Sequence, residues 1–399
     1  MTDHYNVISK QSAQNKRIVM RVDFNVPMQD GKILDDTRIK RVIPGIKTLL
    51  ECSKQLILVT HLGRPKGNVD NTLSSQPLQE YLSNALSMSV RFIPHIEDPS
   101  QLSEAVDSHD KICLLENCRF YAGEEQNDQN LARAYASLAD IYVNDAFSCS
   151  HRSHASIQAI TGFLPSFAGP VLAAELTALS DALESPKRPV AAFVGGAKIS
   201  TKLSVLENLI SKVDKLLLAG AMANTFLAAR QIPVAASLYE PDLIPTAKMI
   251  SELAQQQGCE IILPVDGVVS TKLEKGGRFH TRLNGALEVN EMILDIGPAS
   301  VALFKEHIKD CKTLLWNGPA GAFEIAPYDE ASKSLGAFIG MRTRNGQLIS
   351  VAGGGDTVAA VNLAGVADEL TYVSLAGGAF LEWIEGKSLP GIEALQSSD

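Results

Sequence analysis

The chain lacks the patterns that mark several large classes of protein. No stretch of about 18 consecutive apolar residues occurs in its sequence, so no membrane-spanning helix is predicted. The opening residues, MTDHYNVISKQSAQNKR, contain no apolar core with small residues after it, and we expect no signal peptide. A net charge of −9 argues against nucleic acid or an anionic membrane surface as the main partner.

Motifs that bind metals and dinucleotides are also missing. The six cysteines form no CxxC pair and no zinc-finger spacing, and we interpret them as reduced, mostly buried thiols of a cytoplasmic protein. The GxGxxG fingerprint is absent, and the GKS at 386–388 lacks the glycine that a P-loop requires at the position of Leu381. His151 and His154 have the spacing of a metal pair, but no third ligand accompanies them.

Apolar runs alternate with amphipathic stretches along the chain. The runs are typical of buried strands and the stretches between them of helices, which predicts parallel sheets covered on both faces. The length of 399 residues favours two domains of this α/β class. The strand candidates are RIVMRV, QLILVTHL, VRFI, KICLLEN and DIYVND in the first half, and PVAAFVGG, KLLLAG, EIILPV, KTLLWNG, QLISVAGG and LTYVSL in the second.

The junction between the domains is predicted at 163–189. Prolines bracket a helix-like segment there, Val171–Leu183, which could serve as a stiff connector. We therefore expect an N-terminal domain at 1–170, a connecting helix or hinge at 171–188 and a C-terminal domain at 189–385. The tail at 386–399 is too short for a domain, and it either frays or packs back on the N-terminal domain.

Arginines and a histidine follow several of the apolar runs in the first half. A guanidinium offers a planar fork that suits carboxylate or phosphate, and ligands of open parallel sheets bind beyond the carboxyl ends of the strands. Taken alone, Arg38 beside Asp35 and Asp36 is more typical of a surface ion pair. We expect an anion site because Arg38, Arg64, Arg119 and Arg152 are all predicted at strand ends. The motifs are RVDFNVP (21–27), TRI around Arg38, HLGRP (61–65), ENCRF around Arg119 and HRSHAS around Arg152.

The second half carries three glycine-rich segments that also follow strand candidates. In GGAKISTK (195–202), Lys198 and Lys202 precede a helix, where an anion would neutralise them unless both point into solvent. In GGGDT (353–357), glycines permit close approach to phosphate, and Asp356 either holds magnesium or caps the helix. In WNGPAGAFE (316–324), Glu324 either accepts from ribose hydroxyls or is simply solvated.

Taken together, these motifs resemble those of the phosphoglycerate kinase family from about Arg17 to Leu395. The resemblance implies two Rossmann-like lobes that close over their substrates, joined by a helical hinge. It implies reversible phosphoryl transfer from 1,3-bisphosphoglycerate to ADP, giving 3-phosphoglycerate and ATP in glycolysis, by a cytoplasmic monomer that uses Mg²⁺.

The resemblance also assigns roles to particular residues. Arg38, Lys198 and Lys202 would act on the transferring group, and Asp356 would hold the metal. The implied glycerate site comprises Asp23, Asn25, Arg38, His61, Leu62, Gly63, Arg64, Arg119 and Arg152. The implied nucleotide site comprises Lys202, Glu324, Gly353, Gly354, Gly355, Asp356 and Thr357.

Three segments depart from the family's usual pattern. Ser374–Ala379 reads SLAGGA where STGGGA is common, so that Leu375 and Ala376 replace a hydroxyl and a glycine. Ala219 and Ala221 stand where the family has glycines, and Ser148 replaces the usual glycine after Phe147.

The chemistry of this transfer requires no general base, because neither the attacking phosphate oxygen nor the leaving carboxylate exchanges a proton. Positioning and electrostatic stabilisation should therefore dominate. Two alternatives remain at this point: a binding protein with two lobes for a phosphorylated metabolite, and a nicotinamide dehydrogenase, which the missing fingerprint disfavours.

Overall fold

The computed structural model describes residues 5–106 and 109–396. Contacts within the chain separate it into two compact units. One unit contains the described residues up to Thr177 together with those from Ser388 onward, and the other is Ala178–Lys387. Each unit has its own buried apolar cluster.

The first unit is built on a parallel sheet of six strands. Two of its central strands, Arg17–Val22 and Ile141–Asp145, lie side by side although about 120 residues separate them. The strand order reverses between them, which makes the ends of these two strands the switch point where ligands bind in such sheets. The order across the sheet is Arg91–Ile93, Ile112–Leu115, Gln55–Val59, Arg17–Val22, Ile141–Asp145 and Ser166–Ala168.

Helices cover this sheet, as the alternating pattern predicts. Apolar residues of the helix Thr37–Cys52, among them Ile39, Val42 and Ile46, are buried in the same cluster as the strand residues. The other α-helices described here are Lys10–Ala13, Gln76–Leu86, Leu102–Ala105, Ala122–Glu125, Gln129–Ala136, Pro170–Leu183 and Pro390–Glu393. Pro170–Leu183 begins in the first unit and ends in the second.

The second unit repeats the plan with a parallel sheet in the order of a doubly wound nucleotide-binding fold. Its switch point lies between Val190–Val194 and Thr313–Asn317, which are adjacent. The order across the sheet is Glu260–Ile262, Lys215–Leu218, Val190–Val194, Thr313–Asn317, Ile349–Gly353 and Tyr372–Ser374. The helices are Leu203–Ile210, Ala221–Ala229, Ile244–Gln257, Pro298–Lys309, Glu330–Arg344, Gly355–Leu363 and Gly378–Ile384.

The strand pattern in the sequence missed one part of this unit. A three-stranded antiparallel sheet contains Asp266–Ser270, His280–Leu283 and Met292–Ile296. Its edge strand, His280–Leu283, reads HTRL and is largely exposed, so it carries no continuous apolar run.

In the first unit, the short strand Ser166–Ala168 and the hairpin of Met28–Gln29 with Lys32–Ile33 were not predicted either. All eleven predicted strands are present; Arg17–Val22 has the bounds of its apolar run, and the others are one to three residues shorter than theirs. Among the described residues, no helix is both long and apolar enough to cross a membrane.

Candidate functional site

In the first unit, a buried arginine lies at the sheet's switch point. Arg21 is fully buried near the end of the strand Arg17–Val22. Its Nη1 donates to the carbonyl of Val22 and its Nε donates to Ser156 Oγ at 2.9 Å. Its Nη2 lies 3.1 Å from Nδ1 of His61. Ser156 Oγ in turn donates to the buried Glu124 at 2.6 Å, so a buried carboxylate lies behind the guanidinium.

The contact with Arg21 determines which ring nitrogen of His61 carries the proton. The guanidinium only donates, so His61 Nδ1 must accept and the ring proton must lie on Nε2. Burial, followed by the charges of four arginines, lowers the pKa of His61 well below its usual value. His61 is therefore neutral and presents an Nε2–H donor. The arginines whose charges act on it are Arg21, Arg119, Arg152 and Arg38.

Asp23, the first residue after the same strand, connects several of the predicted site residues. Its Oδ2 accepts from Nη1 of Arg38, and its Oδ1 accepts from the backbone N–H of Asn25 at 3.1 Å. Ser148 Oγ also donates to Oδ2, at 2.5 Å. Arg38 comes from the first turn of the helix Thr37–Cys52, so its predicted place at a strand end was wrong.

Arg119 is held by the loop that contains Gly63. Arg119 Nη1 donates to the carbonyl of Gly63 at 2.6 Å, and the N–H of Gly63 donates to Asn25 Oδ1 at 2.9 Å. The buried Nε of Arg119 has no hydrogen-bond partner in the described chain, and its nearest carboxylate, Glu125, is 3.5 Å away. A buried donor without a partner is costly, which favours an anionic ligand beside this guanidinium.

The remaining predicted residues of this unit are held less firmly. Arg152 is partly buried, and its Nε donates to His151 Nε2 at 3.0 Å. Leu62 is buried, and its carbonyl accepts from the side-chain amide of Asn117 at 2.7 Å. Arg64 is exposed, and its side chain makes no hydrogen bond or ion pair with the residues that the structure describes.

One group in this unit has the composition of a metal site. Ligand atoms of Asp23, His61 and Cys149 lie within 4.8 Å of one another. However, Arg21 Nη2 lies 3.1 Å from His61 Nδ1 and 3.6 Å from Cys149 Sγ. The guanidinium therefore occupies the space that a cation would need, and its positive charge opposes one. All six cysteines are buried free thiols, as the sequence predicted.

In the second unit, a backbone hydrogen bond joins the ends of the two switch-point strands, Val190–Val194 and Thr313–Asn317. The N–H of Gly195 donates to the carbonyl of Asn317 at 3.0 Å. A Cβ on Gly195 would lie 1.8 Å from the carbonyl oxygen of Pro319, and Gly318 adopts a φ of +109°. Only glycine fits at both positions, which explains the glycines in GGAKISTK and WNGPAGAFE.

Lys202 is anchored at this junction. Its Nζ donates to the carbonyl of Asn317 at 3.0 Å and to Asn317 Oδ1 at 2.5 Å. It is the N-cap residue of the helix Leu203–Ile210, which begins after both lysines as predicted. Burial lowers the pKa of Lys202 to about 8, and the negative charge of Asp356 opposes this shift. Lys198 lies on the same loop and is exposed.

The glycine triple opens the helix Gly355–Leu363, as expected. Gly354 flanks its N-terminus with a φ of +99°, and the side-chain amide of Asn317 donates to the carbonyl of Gly353 at 2.8 Å. Thr357 Oγ1 accepts from the N–H of Gly318 at 2.7 Å. Asp356 does not cap the helix and lies exposed in its first turn.

A cavity of about 460 Å³ opens beside these loops. Its walls are mostly apolar, with Leu238, Met292 and Phe323 among them, and Glu324 and Asp356 also line it. An apolar cleft with few polar groups is typical of sites that take a flat organic ring. The wall residues from the antiparallel sheet could not be identified from the sequence, because no motif marks them.

Of the two alanines that replace family glycines, one lies at this cavity. Ala221 lines it, whereas Ala219 is buried in the apolar core of the unit. The extra methyl group of Ala219 therefore fills core space, and only Ala221 adds bulk to the cavity wall.

Comparisons with known proteins agree with this arrangement. The family model described as "Phosphoglycerate kinase" matches residues 8–387. A phosphoglycerate kinase of Ruegeria sp. (strain TM1040) is 51% identical over 395 residues, covering 98% of this chain and 100% of the relative. One from Methylorubrum extorquens (strain PA1) is 48% identical over 398 residues and covered completely. The solved structure of phosphoglycerate kinase from Coxiella burnetii superposes with a TM-score of 0.91 at 37% identity, covering 98% of both chains.

Proposed function

The chain belongs to the phosphoglycerate kinase family, and on that premise we propose how its residues transfer a phosphoryl group between 1,3-bisphosphoglycerate and ADP. It is a phosphotransferase with a carboxyl group as acceptor. The observation that carries the assignment of roles is that donors for anions converge at the switch point of each parallel sheet. One set suits a small anion with several charges, and the other a nucleotide.

The glycerate substrate binds at the arginine cluster of the first unit. The neutral His61 offers its Nε2–H to a substrate oxygen, and the unpartnered Nε of Arg119 gains the acceptor it lacks. Asp23 accepts from the substrate hydroxyl, and Asn25 fixes the loop of Leu62 and Gly63. The exposed Arg64 and the partly buried Arg152 add positive charge that draws in and holds the phosphate.

The nucleotide binds in the second unit. Its base enters the apolar cavity, and Glu324 accepts hydrogen bonds from the ribose hydroxyls. The backbone N–H groups at Gly353, Gly354 and Gly355, which no side chain shields, contact the phosphates. Lys202 supplies a positive charge to these phosphates, and Thr357 fixes the two loops to each other.

Magnesium fits the donor set at this position. Mg²⁺ is usually held by one or two carboxylates, with phosphate oxygens and water completing its shell. Asp356 is an exposed carboxylate at the start of a phosphate-binding helix, close enough to Lys202 to affect its charge. We infer that Asp356 holds the ion, which neutralises phosphate charge when bound.

Catalysis rests on positive charge placed where negative charge develops. Arg38 donates to the transferring group from the glycerate side, and Lys198 and Lys202 do so from the nucleotide side. The charge of Arg38 is balanced by Asp23 before substrate arrives, which keeps the guanidinium close to the site.

Because these donors belong to two units, we infer that a hinge movement brings them together and excludes water during transfer. The connecting segment is 171–188, which contains most of the helix Pro170–Leu183. We further propose that the enzyme is a monomer in the cytoplasm, where reduced thiols such as its own are stable.

The test is turnover of the purified protein with ATP and 3-phosphoglycerate, coupled to reductive removal of 1,3-bisphosphoglycerate and followed by NADH absorbance. We expect activity that requires both substrates and Mg²⁺. Binding of both ligands without turnover would instead indicate a metabolite-binding protein, and the assignment would be wrong.

A further inference from the structure

Ser148 lies within the candidate glycerate site but has no role in the account above. It belongs to the short 3₁₀ turn Phe147–Cys149, which follows the central strand Ile141–Asp145 at the switch point. Its side chain is partly buried. The family usually has glycine at this position, so the hydroxyl is a feature of this chain rather than of the common site.

The hydroxyl is directed at Asp23. Ser148 Oγ donates to Asp23 Oδ2 at 2.5 Å, and Arg38 donates to the same oxygen. Asp23 Oδ1 accepts from the N–H of Asn25. An ionised carboxylate offers about four acceptor positions in all. Three are occupied, and the one left on Oδ1 is available to a hydroxyl donor.

We propose that Ser148 is a positioning residue that orients the carboxylate of Asp23 toward the 2-hydroxyl of the glycerate substrate. This inference rests on the proposed function, in which Asp23 accepts from that hydroxyl. Arg38 and Ser148 both donate to Oδ2, and the substrate hydroxyl takes the acceptor position left on Oδ1. The hydroxyl of Ser148 remains bound to Oδ2, so that the carboxylate of Asp23 keeps its orientation when Arg38 turns to the transferring phosphoryl group.

The bond is not needed to form the turn itself. The backbone N–H of Ser150 donates to the carbonyl of Phe147, and the N–H of Cys149 donates to that of Ala146. Among the residues that the structure describes, the only other polar contact of the Ser148 hydroxyl is with Cys149 Sγ at 3.7 Å. Removing the hydroxyl should therefore leave the local backbone unchanged.

The experiment compares two ligands that differ only in the hydroxyl. Binding of 3-phosphoglycerate and of 3-phosphopropanoate, which lacks the 2-hydroxyl, is measured by calorimetry for the wild-type protein, Ser148→Ala and Ser148→Gly. We expect each variant to bind 3-phosphoglycerate about tenfold more weakly, the usual effect of losing a hydrogen bond to a charged group. Binding of 3-phosphopropanoate should not change.

Kinetics and two further variants complete the design. The KM for 3-phosphoglycerate should rise with Ser148→Ala while kcat and the KM for ATP stay the same, and Ser148→Thr should restore the wild-type values. Ser153→Ala removes an exposed hydroxyl from the same segment and should have no effect.

Other outcomes would overturn the inference in distinguishable ways. Equal weakening of both ligands by Ser148→Ala would show a general structural effect. A wild-type protein that turns over but does not distinguish the two ligands would remove the role of Asp23, and that of Ser148 with it. A wild-type protein without turnover would instead contradict the proposed function.

Discussion

Lys202 gives the most detailed prediction, because its charge state is set by contacts that nucleotide binding must change. Its Nζ donates to two oxygens of Asn317, and its burial lowers its pKa to about 8. At pH 8 about half of the Lys202 side chains are therefore neutral. A phosphate placed beside Nζ stabilises the charged form and raises the pKa again.

The consequence is proton uptake on binding ADP. At pH 8 the phosphate is already ionised, since its second pKa lies near 6, so the ligand releases no proton to mask the effect. We expect about half a proton to be taken up for each ADP bound at pH 8. At pH 6 no uptake is expected, because Lys202 is already charged and the half-protonated phosphate releases protons instead.

The assay is titration calorimetry in two buffers that differ in ionisation enthalpy, with the proton number taken from the difference in heat. Lys202→Met should abolish the uptake and weaken ADP binding. Lys248→Met, at an exposed position of the helix Ile244–Gln257, serves as the matched control. Uptake that is absent in the wild-type protein, or equal in Lys202→Met, would refute the reasoning.

The lowered pKa of Lys202 also makes the free energy of unfolding depend on pH. A lowered pKa means that the contribution of Lys202 to the free energy of unfolding is complete above its ordinary value of 10.5 and is lost as the pH falls through about 8. The difference corresponds to at most roughly 3 kcal/mol, and less where water screens the charge.

Three further predictions follow from the described contacts. Arg38→Ala should lower kcat by about 10²- to 10³-fold with little change in ADP affinity, whereas Lys40→Ala on the same helix should leave steady-state kinetics unchanged. Glu124→Gln should lower the free energy of unfolding by about 3 kcal/mol in urea titrations, because it leaves the buried guanidinium of Arg21 without a nearby carboxylate. The exposed control Glu80→Gln should change the free energy of unfolding by less than about 0.5 kcal/mol. Equal effects of the two substitutions would contradict the argument. Burial raises the pKa of Asp145 to about 7, so its contribution to stability is complete below its ordinary value of 3.8 and is lost as the pH rises through 7. Asp145→Asn should therefore unfold at higher urea concentration than the wild-type protein, by a clearly larger margin at pH 8.5 than at pH 5, and an equal shift at both would exclude titration as the cause.

The sequence predicted the two parallel sheets because their strands are buried on both faces and read as continuous apolar runs. The strand Arg17–Val22 has the bounds of its run, and the glycine loops lie at strand ends as expected. In the antiparallel sheet, the strand His280–Leu283 could not be predicted in this way because it is exposed and has no such run.

For the candidate site residues, the sequence predicted identities but not the contacts that define their roles. Arg119 was identified because its motif is distinctive, but the motif does not show that its Nε lacks a partner. Arg21 belongs to the most specific motif, yet its role at His61 depends on a contact between residues 40 positions apart in the sequence. Ser148 departs from the family pattern, so no motif could identify it as a partner of Asp23.

The central claim is that donors from both units act on one phosphoryl group. The most direct test is a crystal structure with Mg²⁺, ADP, 3-phosphoglycerate and a fluoroaluminate mimic of the transferring group. The account predicts that Arg38 from the first unit and Lys198 or Lys202 from the second donate hydrogen bonds to the same mimic. A structure in which the mimic contacts donors of one unit only would contradict it.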